Sequence, residues 1–135
     1  MELIDIIVGF DYDCSPNLIE REDLDKYEKL VGTEFGLMLK NYIINYGYIG
    51  LNDIEFYGIN NNQKEQSDLI TQTLYLHNTF NITKGYITFE NMGEGIYTLI
   101  DSTDMTYKFI SETNELSPLN MNLYEYISSR FNESI

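Results

Sequence analysis

Apolar residues recur along this chain with two periods, and the change from one to the other divides the sequence. Residues 2–8 form a short apolar run that reads as a helix. Asp11 to Asn17 reads as a loop, with Ser15 and Pro16 suited to open a helix because Pro fits the first helical position. A clearer helix covers residues 22–31, where Leu24, Tyr27 and Val31 line up and Gly32 ends the run. Carried backwards, that stripe meets Glu20 and Asn17, which argues against one straight helix from Pro16. The strongest helical stripe is Phe35, Leu39, Tyr42, Ile43 and Tyr46, closed by Gly47. Residues 67–80 repeat the pattern with Leu69, Thr73, Leu76 and Phe80, and Ser67 or Asp68 is placed to cap them.

Elsewhere the period falls towards two. Tyr48 to Gly58 is rich in Tyr, Phe and Ile and predicts one or two short strands with a turn at Asn52-Asp53. The Asn60–Gln63 run reads as a loop. Three further strands follow, at about 86–90, 96–101 and 105–110, joined by Asn91–Gly95 and Ser102–Asp104. Connections this short make an antiparallel meander. Ser117-Pro118 is expected to break the chain. Asn122 with Glu125 then resembles a capping pair for a last helix that docks Leu123, Ile127 and Phe131, with Tyr124 at its margin. The order of elements predicts an α+β fold: one domain over residues 1–135, with helices packed against an antiparallel sheet.

Composition changes this picture mainly through charge. Of 135 residues, 43% are apolar, enough for a core, while 22 acids against 8 bases give a net charge of −14. Nucleic acids and anionic membranes are polyanions held by Lys and Arg, so neither is an expected partner. Such a field speeds encounter with a cationic protein, although acidity also serves solubility alone. The N-terminus carries Glu2 and Asp5 where a secretion signal is basic, and no run approaches the roughly 18 apolar residues of a membrane span. A cytoplasmic location is expected.

Candidate chemistry is sparse. Cys14 is the one cysteine and His77 the one histidine, so a Cys-rich zinc site is excluded and a triad would rest on His77 alone. His77 falls among apolar helical residues and is expected to be structural. Gly93-Glu-Gly95 reads as a strand turn, because Thr98 stands where a dinucleotide fingerprint needs glycine. Asp11, Asp13, Ser15 and Glu22 fit four positions of a calcium loop, but Pro16 occupies the position that requires glycine. A carboxylate-pair hydrolase stays open as the weakest reading, since 22 acids always supply some pair. No catalytic residue, metal or cofactor is expected.

Tyr27-Glu28 through Gly32, then Phe35, Leu39, Tyr42-Ile43 and Tyr46-Gly47, resemble the signature of the SUKH superfamily (Smi/Knr-like domains). Glu55-Phe-Tyr-Gly58, Thr73, Gly85–Glu90 and Tyr97–Asp101 resemble its later strands and middle helix, so the likeness runs over about residues 20–131. Gly36 stands where the family usually has Pro, Val31 where it has Leu, and His77 near a frequent Arg. The resemblance implies a bacterial immunity protein that binds and neutralises a polymorphic toxin, often a nuclease, in the cytoplasm. Some relatives serve instead as regulatory scaffolds in cell-wall control, and neither role is catalytic.

On this reading the partner is a cognate toxin with a basic surface, met by a monomer or weak dimer. Acids and tyrosines fall together at the predicted turns and strand ends. They nominate Tyr48, Asp53, Glu55, Tyr57, Glu94, Asp101 and Asp104 as the contact.

Overall fold

The computed structural model describes residues 2–15, 20–59 and 68–134. In chain order the elements are α1 (Leu3–Ile7), β1 (Asp13–Cys14), α2 (Arg21–Val31), α3 (Leu37–Tyr46), β2 (Ile49–Leu51), β3 (Ile54–Phe56) and α4 (Leu69–Thr79). A 3₁₀ turn (Asn81–Thr83) follows, then β4 (Ile87–Gly93), β5 (Ile96–Ile100), β6 (Met105–Ile110), β7 (Glu115–Asn122) and α5 (Leu123–Glu133). The strands form a single sheet in sequence order, every neighbouring pair antiparallel. This is the α+β architecture expected.

The sheet has two faces of different character. Its inner face carries Ile49, Leu51, Ile54, Phe56, Ile87 and Ile100 into the main core with α1, α3 and α5. There Phe56 stacks on Phe89 at 4.8 Å and on Phe131 at 6.1 Å. The Tyr42 hydroxyl, fully buried, donates to the carbonyls of Phe56 and Tyr57 at 3.1 and 3.0 Å. The outer face carries a smaller cluster, Leu99 and Phe109 under Leu76 of α4. A bulge between Thr88 and Glu90 sets two residues of β4 against one of β5. Phe89 and Glu90 are both fully enclosed as a result, Phe89 in the core and Glu90 under α5.

Helix ends follow the sequence. Gly32 ends α2 at φ +74°, a left-handed conformation that glycine adopts freely. Asp68 caps α4 through Ile70 N, and Asn122 and Glu125 exchange hydrogen bonds of 2.9 Å at the start of α5.

Two expectations need correction. Asp13–Cys14, expected in a loop, is a two-residue strand on the edge of β2, with Ser15 N bonded to Tyr46 O at 3.0 Å. Ser117-Pro118, expected to break the chain, lies inside β7. That strand is outermost in the sheet, and an edge tolerates proline because one side of its ladder is unpaired. The Pro16 helix start and the Asn60–Gln63 loop lie outside the described residues.

Candidate partner-binding face

The outer face is built by strand register. Asp13 lies opposite Gly50, and Gly50 opposite Glu55, so the three share one face across β1, β2 and β3. Ile54 and Phe56 on either side of Glu55 are buried while Glu55 is exposed, the alternation of a half-buried strand. Tyr48 crosses this row. A Cβ on Gly50 would stand 2.7 Å from Tyr48 Oη, so the missing side chain is what lets the phenol lie across the strand. Tyr48 Oη is 3.5 Å from Glu55 Oε2. Burial raises the Tyr48 pKa, and the Glu55 and Asp13 carboxylates add to the rise.

Farther along the face, Tyr57 is buried and hydrogen-bonded by Asn91. Its pKa is pushed up to about 12, first by burial and then by neighbours including Glu55. Tyr97 of β5 follows, next to the exposed Tyr75 of α4. No Lys or Arg occurs between residues 41 and 63 or between 85 and 107. The outer side of β1 to β5 is therefore anionic and tyrosine-bearing, with no base in its strands.

Of the nominated residues, the fold brings Tyr48 and Glu55 together on this face, with Tyr57 beside them but too buried for its ring to offer a free surface. Asp53 and Glu94 are exposed in the β2–β3 and β4–β5 turns, which lie at one end of the sheet. Asp53 also lines an open hollow of about 370 Å³ between its turn and the end of α5. Asp101 and Asp104 lie at the opposite end, the length of β5 away, about 16 Å at roughly 3.3 Å per residue.

Asp104 is a correction: it is not a surface acid but a buried cap. Its carboxylate accepts from Met38 N at 3.0 Å and Leu39 N at 3.1 Å, satisfying the start of α3, whose own cap residue is Gly36. Its carbonyl accepts from Leu123 N at 2.8 Å and so fixes the start of α5. A side chain on Gly36 would overlap the Asp104 carboxylate, which accounts for glycine at a position where the family resemblance suggests proline. Burial raises the Asp104 pKa against the pull of its two N–H donors. Asp101 is occupied too: it accepts from Thr103 N and Oγ1, Met105 N and the Tyr107 hydroxyl. Burial opposes its ionisation, but those donors lower its pKa on balance.

A family model described as SMI1-KNR4 cell-wall (SUKH_5) matches residues 11–132. The chain belongs to the SUKH family. A search of curated proteins finds no match. SUKH domains are generally non-catalytic and commonly act as immunity proteins. In this SUKH domain His77 is buried on α4, with Nε2 2.7 Å from Tyr86 O. Among the described residues no three His, Cys, Asp or Glu side chains gather closely enough to hold a metal ion. No described helix is long and apolar enough to cross a membrane.

The sequence reading missed Asp13 and Tyr97. Parity was the available signal for Tyr97, which alternates with Thr98 along a strand. Asp13 gave none, because a two-residue strand has no period.

Proposed function

We propose that this SUKH domain is a cytoplasmic immunity protein that binds a cognate toxin with a basic surface, most simply a nuclease, and blocks it without chemistry of its own. The row of Asp13, Tyr48 and Glu55 on a face whose strands hold no base supports this reading best. A nuclease presents cations to phosphates, and carboxylates on a rigid sheet meet the same cations. Tyr48, fixed against Gly50, is the aromatic anchor a tight contact needs. Asp53 and Glu94 extend the face at its turn end.

The description of the matching family model favours a second reading, a regulatory scaffold in cell-wall control. Co-expression with the product of the adjacent gene separates the two. The immunity reading expects a toxin there, a complex that co-purifies, and survival of the host. A non-toxic neighbour, or a toxin that ignores this chain, overturns it.

A further inference from the structure

The inner face of the sheet is not wholly covered by α5, and the part left open holds an unusual cation. Glu90, Thr98 and Lys108 lie opposite one another across β4, β5 and β6. Among the described residues Lys108 is the one basic residue in a strand. Beside it Met92, Leu119 and Met121 form the apolar wall of a half-open cavity of about 180 Å³, which Tyr126, Arg130 and Glu133 of α5 close. Arg130 is itself engaged, by Glu133 of the lining and by the buried Glu90 outside it. Glu90 accepts from Arg130 Nε at 3.0 Å, from Nη2 at 2.5 Å and from the Tyr126 hydroxyl at 2.6 Å. Glu133 accepts from Arg130 Nη1 at 2.8 Å. Among the described residues Lys108 has no ion-pair partner, in a protein of charge −14.

We propose that this cavity binds a carboxylate on an apolar stem, supplied by a bound protein as an acidic side chain or a chain terminus. The Lys108 ammonium neutralises the carboxylate and the Met and Leu side chains take the stem. Methionine suits the second role, since its unbranched chain adapts to the shape presented. The volume fits: an apolar cavity of about 150 Å³ accepts a benzene-sized group. The pocket stands apart from the acidic outer face and has the opposite preference, so a partner matching both is selected as well as attracted.

Methyl-labelled methionines in the full chain report the test, with 4-methylpentanoate as probe and 4-methylpentan-1-ol as its neutral match. The acid is expected to shift the Met92 and Met121 methyl signals at about tenfold lower concentration than the alcohol. Lys108→Gln should abolish that preference and Lys108→Arg should keep it, with unshifted remaining methionines showing both variants folded. N-acetylleucine against N-acetylglutamate methylamide then distinguishes a terminal from a side-chain carboxylate. Equal response to acid and alcohol, an acid response that survives Lys108→Gln, or no response at all overturns the proposal. No toxin enters the experiment, so the immunity reading stands or falls separately.

Discussion

Two groups of carboxylates in this small domain have opposite fates. At one end of the sheet Asp101 and Asp104, three residues apart, are turned onto backbone donors and hold the β5–β6 turn to the starts of α3 and α5. On the outer face Asp13 and Glu55 flank a tyrosine and point to solvent. Composition treats these acids alike. What marks the turn pair is backbone N–H groups within reach, supplied to Asp104 by the start of α3 and to Asp101 by the turn itself. A surplus of acids is therefore no measure of a binding surface until the structural carboxylates are set aside.

That contrast is sharpest where a carboxylate is most enclosed. Arg130→Met should leave Glu90 buried without its cation and destabilise the fold by about 3–5 kcal/mol, read by urea denaturation. Asp104→Ala should cost about 2 kcal/mol by stranding the Met38 and Leu39 amides. Gly36→Ala should destabilise through the same contact from the other side. Asp13→Lys with Glu55→Lys should instead stay within about 0.5 kcal/mol of the parent while weakening partner capture. If the surface pair proves as costly to stability as Asp104→Ala, the division fails.

The smallest effect is on pH dependence, where the two turn aspartates should move in opposite directions. Asp101 has a folded pKa below its ordinary value of 3.8, so its stabilisation is present above that value and is lost as pH falls through the folded pKa. The cost of Asp101→Asn should shrink on acidification. Asp104 has a raised folded pKa, so the native state takes up its proton first and gains stability as pH falls through that pKa. The cost of Asp104→Asn should grow over the same descent. Parallel pH series of denaturant midpoints would contradict this if both costs moved the same way.

Most of the fold was legible because long elements repeat their signal. The stripe from Phe35 to Tyr46, the three-strand meander and the Asn122–Glu125 cap all depend on spacing within ten or so residues. β1 escaped because two residues carry no period, and β7 because Pro118 reads as a stop unless the strand is known to be an edge. The face was half legible. Tyr48, Asp53, Glu55 and Glu94 reach the surface as the pattern implies. Asp104 did not, because its partners Met38 and Leu39 are more than 60 residues away and nothing local announces them. The Glu90–Arg130 pair was hidden for the same reason: it joins β4 to α5 across 40 residues.

Association kinetics with the product of the adjacent gene, the partner that the proposed function requires to be a toxin, followed across a salt series, test the outer face most directly. The Asp13→Lys, Glu55→Lys variant should associate at least tenfold more slowly at low salt and with a flatter salt dependence, while Asp101→Asn matches the parent. Unchanged association and slope in the double variant would remove this face from the account.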